Sequence, residues 1–70
     1  MEFLCQGKSS WPELVGTCGE LAAKTIEEEN PFVSALIARP HQPVSTIFSC
    51  ARVVVWVDEK GIVGIMPVIG

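Results

Sequence analysis

Basic residues are few in this chain and nowhere clustered. Five Lys and Arg stand against eight Asp and Glu, for a formal net charge of -3. A nucleic-acid backbone is held by patches of Lys and Arg, so nucleic acid is not an expected partner. Long hydrophobic runs are missing as well. The longest unbroken aliphatic and aromatic stretch, Val53 to Val57, is five residues, against about 20 for a membrane-spanning helix. It reads as a buried strand, and no membrane association is expected. Met1-Glu2-Phe3-Leu4-Cys5 places an acid, and no basic region, ahead of any long apolar stretch, so no signal peptide is visible. The compartment stays open between cytosol, vacuole and extracellular space.

Other absences narrow the chemistry. There is no glycine-rich phosphate loop, no internal repeat, and no pair of cysteines at the C-x2-4-C spacing of structural zinc sites. A metal centre built from Cys5, Cys18, Cys50 and the single His41 is therefore not expected, nor is any other cofactor. A cysteine nucleophile with His41 as base has no third residue to orient it, and 70 residues leave little scaffold for a substrate pocket. An enzyme is not expected.

What is present is apolar. Hydrophobic residues make up 49% of the chain and the mean hydropathy is +0.40, which excludes disorder through low hydrophobicity and high charge. Seventy residues make one domain, 1-70. At this size burial barely offsets an ordering entropy of about 1.5 kcal/mol per residue, so a covalent staple would help. Three cysteines allow three single-bridge pairings, each leaving one thiol over. Cys5 with Cys50 would close the longest loop, a bond worth roughly 4 kcal/mol in the loop-entropy picture. Cys18 would then stay free at a helix start, as a small capping or buried residue, with a dimer through its thiol as the alternative to a monomer.

Periodicity and punctuation place the elements. Pro12 suits the first position of a short helical turn. Thr17-Cys18-Gly19-Glu20 offers a capping box for a helix from about 18 to 29, with Leu21, Ala22, Thr25 and Ile26 inward and Glu20, Lys24, Glu27 and Glu28 outward. Asn30-Pro31 stops it, and Glu27-Glu28-Glu29 reads as a solvated helix end. Phe32 to Ala38 and Arg52 to Asp58 are β-branched and apolar enough for strands. Asp58-Glu59-Lys60-Gly61 is a turn, and Ile62 to Met66 a short third strand with Pro67 near an edge. This order gives a small α+β domain, one helix on a small sheet. Trp11 reads as an anchor under the first turn, and Trp56 as core or half-buried on the central strand.

The stretch 39-50, with Pro40 and Pro43, has no helical period and no hairpin signature. Connections this long in small domains are usually functional. Arg52 opens the next strand directly beyond it, so its guanidinium can reach back under the loop and donate to it.

Four separated motifs, Lys8-Ser9-Ser10-Trp11-Pro12-Glu13-Leu14-Val15-Gly16, Ile26-Glu27 with Glu29-Asn30-Pro31, Arg52-Val53-Val54-Val55-Trp56-Val57-Asp58, and Pro67-Val68-Ile69-Gly70, closely resemble the potato inhibitor I family of plant serine-protease inhibitors. The likeness covers almost the whole chain, and the order and spacing of the motifs make it specific. Cys5 and Cys50 fall on the two cysteine positions of the trypsin-inhibitor branch that carries a disulfide. The resemblance implies a mixed sheet, two parallel strands plus a short antiparallel one, with the long loop between the parallel strands exposed for a protease. Counting back from Arg52-Val53, it places the reactive bond between Thr46 and Ile47, with Pro43, Val44 and Ser45 before it and Phe48 and Ser49 after. It also implies a role in plant defence and the response to wounding.

The loop departs from the family pattern. Ser45, Ile47, Ser49 and Ala51 stand where Thr, an acid, Arg and Asp are usual, and Val54 where a second support is often Arg or Trp. His41 replaces a common glycine. Of the support set Arg52 remains. Thr46, uncharged and β-branched, favours subtilisin-, elastase- or chymotrypsin-like targets over trypsin. The thinned support predicts weaker or temporary inhibition. The alternative is an interaction or storage protein that keeps the fold without inhibiting.

Overall fold

The computed structural model describes residues 5-44 and 47-70. A 3-10 turn, Pro12–Leu14, begins on a proline whose missing N-H would have been unpaired there in any case. Helix α1 runs Gly19–Glu29, and strands β1, β2 and β3 are Ser34–Ala38, Arg52–Trp56 and Val68–Ile69. They form one sheet in the order β1-β2-β3. Strands β1 and β2 are parallel, with Ser34 opposite Arg52 and Ala38 opposite Trp56. Strand β3 is antiparallel to β2, with Val53 opposite Ile69. One helix on a three-stranded mixed sheet is the α+β architecture the motifs imply.

The core lies between α1 and one face of the sheet. Gly19, Ala22 and Ile26 form the buried stripe of α1, at the three- and four-residue spacing of one helical face. Alternate residues of β2 supply Val53 and Val55 from the sheet, and Trp11, Leu14, Val33, Val57, Val63 and Ile69 close the cluster. Full burial of side chains such as Ile26, Val53 and Val55 contributes about 1.5–3 kcal/mol each. The helix starts so close to the sheet end that a Cβ on Gly19 would stand 2.6 Å from Val57 Cγ1, so only glycine fits there. Among the described residues no helix is long and apolar enough to cross a membrane.

Several expectations need correction. Ile62 to Met66 is not a strand: Ile62 and Val63 make single bridges to Cys18 and Val57, and the third strand is Val68–Ile69. Pro67 is fully buried just ahead of it, its carbonyl accepting the Trp11 N-H at 2.9 Å. The capping box does not form, because Cys18 is the N-cap and the Thr17 hydroxyl donates backward to the Leu14 carbonyl at 2.6 Å. Leu21 is 57% exposed, one position off the narrow Gly19-Ala22-Ile26 stripe. Trp56 lies on the outer sheet face at 36% exposure, so it is not core.

The acidic end of α1 is a docking point rather than a free solvated end. Glu29 accepts the Trp11 indole N-H at 2.9 Å and the Lys8 ammonium at 3.0 Å, and Glu27 accepts the Ala35 N-H at 2.9 Å. Lys8 also pairs with Glu13, whose carboxylate, followed by Glu29, holds the Lys8 ammonium above its usual pKa. The same contact holds Glu13 below the usual carboxylate range. Asn30 caps α1 and is fully buried. Its Nδ2 donates to the Gln6 and Lys8 carbonyls at 2.8 and 2.9 Å, and its Oδ1 accepts the Phe32 N-H at 2.9 Å. No buried side-chain polar atom among the described residues is left without a partner.

Candidate functional site

The connection from β1 to β2 starts in a tight turn. The Gln42 N-H donates to the Arg39 carbonyl at 3.1 Å, and the Arg39 N-H returns to Gln42 Oε1 at 3.0 Å. Pro40 and His41 occupy the two central positions. His41 has φ 65, so the turn has the type II pattern: proline first, then a left-handed residue where glycine costs least. A histidine there holds the strained conformation that the usual glycine would adopt freely.

Pro43 is exposed and Val44 half-buried. Ser45 and Thr46, the residues expected to precede and begin the reactive bond, lie outside the described residues. Ile47 and Phe48 are 76% and 63% exposed, far more open than ordinary apolar side chains of a folded core. Ser49 is half-buried and turns the chain back toward the sheet: its Oγ accepts the Ala51 N-H at 3.1 Å. Cys50 follows, joined to Cys5 across a separation of 45 residues with the Cα atoms 5.2 Å apart. Of the three pairings open to the cysteines, this is the one that closes the longest loop. Cys18 is free and exposed at the N-cap of α1.

Arg52 reaches back under the connection, as its position at the strand start suggested. Its Nη2 donates to the Ile47 carbonyl at 2.9 Å and its Nε to the main-chain oxygen of Gly70 at 2.7 Å. The Gly70 N-H in turn donates to the Arg52 carbonyl at 2.9 Å, and the Phe48 ring lies against Gly70. The guanidinium therefore ties the exposed segment to the end of the last strand through main-chain oxygens rather than side-chain carboxylates. Val54, the second support position, is half-buried on the outer face between Leu36 and Val68, and offers only apolar contact.

Sequence reasoning singled out Arg52, Cys5 and Cys50, which converge at the end of the connection. It missed Gly70 as an acceptor, since a terminal glycine carries no side-chain signal, and it missed Asn30, whose buried amide looked like a simple helix stop. Among the described residues no group of His, Cys, Asp and Glu is arranged to hold a metal ion. What the arrangement can do is present the apolar side chains of Ile47 and Phe48 outward while a guanidinium, a disulfide and a turn hold the flanking residues.

Comparison with known proteins gives this geometry its context. The profile of the Potato inhibitor I family matches residues 5-70. The Glu S.griseus protease inhibitor of Momordica charantia is 56% identical over 66 residues, covering 94% of this chain and 97% of the relative. The inhibitor of trypsin and hageman factor of Cucurbita maxima is 48% identical over 66 residues, with 94% and 97% covered. The crystal structure of bitter gourd trypsin inhibitor superposes with a TM-score of 0.90 at 53% identity, covering 94% of this chain and 97% of that one.

Proposed function

The chain belongs to the potato inhibitor I family and is a protease inhibitor rather than an enzyme; from that premise we propose that it occupies the active-site cleft of serine proteases in the manner of a substrate, through the loop around Thr46-Ile47. The observation that carries this reading is the Arg52 guanidinium beneath an outward-facing Ile47-Phe48 segment. An extended segment can pair its backbone with the cleft as an added strand does, and support from below lowers the ordering cost of binding. If the Thr46-Ile47 bond is cut, Arg52 holds the Ile47 side at its carbonyl and the Cys5–Cys50 bond holds the loop's end. The new amine then stays close to the acyl-enzyme it left, and re-forming the peptide competes with hydrolysis.

Target choice goes with the loop rather than the scaffold. The relatives' named targets differ, trypsin and hageman factor for one and an S.griseus protease for another. Thr46 has no charge to pair with the acid at the base of a trypsin pocket. Subtilisin-, elastase- or chymotrypsin-like enzymes suit it better, and the plant origin of the relatives suits a defence role. Ile47, where the family usually has an acid to pair with Arg52, and the apolar Val54 favour inhibition that decays as the bond is slowly cut.

The test is the set of inhibition constants of the oxidised protein against subtilisin, chymotrypsin, elastase and trypsin, followed by mass spectrometry of the inhibitor. Submicromolar inhibition of an enzyme other than trypsin, with slow appearance of a single nick at Thr46-Ile47, is expected. A chain that stays intact after long incubation with excess subtilisin would refute temporary inhibition. A folded protein inhibiting none of the four would favour the second reading, a fold kept for interaction or storage.

A further inference from the structure

We propose that Asn30 is a positioning residue for the β1–β2 loop, acting through the N-terminal arm and the Cys5–Cys50 bond without touching the loop itself. The proposal rests on the reading of that loop as the protease-binding segment. Both donors of the Asn30 amide are engaged by the arm, at the carbonyls of Gln6 and Lys8, while its acceptor closes the corner between α1 and β1 at Phe32. One buried side chain thus ties the helix end to the arm on one side and to the following strand on the other.

The arm is shaped around this amide. Gly7 lies between the two accepting residues with φ +81, and a Cβ built on it would stand 2.7 Å from Asn30 Nδ2. Any other residue there would push the amide off its carbonyls. On one side of this clasp, the arm is held by the sheet, through the Ile69 N-H on the Ser9 carbonyl at 3.0 Å and the Ser10 bridge to Val68. On the other side comes Cys5, packed at the edge of the core and bonded to Cys50. Cys50 stands two positions before Arg52, where the loop rejoins the sheet.

A disulfide restrains its partner only as far as its own anchor is fixed. The hold on Cys50 therefore depends on how firmly residues 6 to 8 hold Cys5, and the Asn30 amide is what fixes the two carbonyls nearest it. Loosening the clasp frees Cys50 to drift, which raises the ordering cost of binding and lets the cut ends separate.

Asn30→Asp separates the two jobs of the side chain: an ionised carboxylate keeps an oxygen for the Phe32 N-H and loses both donors to the arm. At pH 8 the variant should lose its Cys5–Cys50 bond to dithiothreitol at least about tenfold faster than the wild type, since one buried hydrogen bond left unmade is already of that scale and two are lost. Its inhibition constant for subtilisin should rise by about the same factor. In a Cys5→Ser/Cys50→Ser background the same substitution should change inhibition by less than about twofold, because the route to the loop is gone. Gly7→Ala disturbs the clasp from the arm side, leaves every polar group of Asn30 in place, and should act alike; it carries the test if Asn30→Asp does not fold. An unchanged reduction rate, or an equal loss of inhibition with and without the disulfide, would overturn the proposal. If the wild type inhibits no protease, the reading of the loop fails, while the reduction rate still decides whether Asn30 holds Cys5.

Discussion

Arg52 stands between Ile47 and Gly70 and donates to main-chain oxygens of both, at 2.9 and 2.7 Å. The planar fork of one guanidinium satisfies two backbone acceptors that lie on different segments, which a single-point ammonium does less well.

Arg52→Ala should therefore weaken inhibition of subtilisin by at least about tenfold and speed cutting at Thr46-Ile47, since hydrogen bonds to charged groups are worth about 1.5–3 kcal/mol. Arg52→Lys should fall in between. Equal inhibition constants for all three forms would show that the loop keeps its shape without this tie.

Thr46→Lys should create trypsin inhibition where the wild type has little, because the ammonium can reach the acid at the base of the trypsin pocket. Titration of trypsin activity with the variant measures it. No gain would place the reactive bond elsewhere in the loop.

His41 adopts φ 65 at the second central position of the Arg39 to Gln42 turn. His41→Gly should relieve a left-handed strain of about 1 kcal/mol, partly offset by the greater freedom of glycine in the unfolded chain. Thermal denaturation should show a higher midpoint, and cutting of the loop should slow. A lower midpoint would mean that the imidazole makes contacts worth more than the strain.

Asp58 closes its turn by accepting the Lys60 and Ile62 N-H groups at 2.8 and 3.0 Å. The Ile62 N-H first, then other backbone donors and Lys60, hold its pKa below the ordinary 3.8. A depressed native pKa contributes stability above the unfolded value, and that contribution fades as pH falls from about 3.8 through the native value. Urea titrations between pH 2 and 6 should show the wild type losing more stability on acidification than Asp58→Asn, which keeps an uncharged acceptor. Parallel pH profiles would remove Asp58 from the acid transition.

The helix and the first two strands were legible because each has a local cause, Asn30-Pro31 ending α1 and Val53 to Val57 being too short and too β-branched for anything but a strand, whereas their parallel pairing came only from the family resemblance. The third strand was misplaced for a tertiary reason. Ile62 to Met66 has the composition of a strand, yet Ile62 and Val63 find only single bridges to Cys18 and Val57, while the ladder partners of Val53 and Val54 arrive later, after Pro67. Leu21 looked inward because it shares the apolar spacing of Ala22, Thr25 and Ile26, yet the buried stripe is the narrower Gly19-Ala22-Ile26. At the site, Arg52 was legible from its position just beyond the loop. The roles of Glu29, Asn30 and Gly70 were not, since each depends on partners 18 or more residues away in the chain.

Because β1 and β2 run in the same direction, the chain leaving Ala38 must travel back alongside the sheet to begin again at Arg52, beside Ser34. A parallel return of this kind needs about a dozen residues, and the 39-51 segment supplies little more than that. The topology therefore fixes the length of the connection and leaves its lettering free. New bait can be written into the same span, but a deletion of two or three residues would have to be drawn out of the sheet itself.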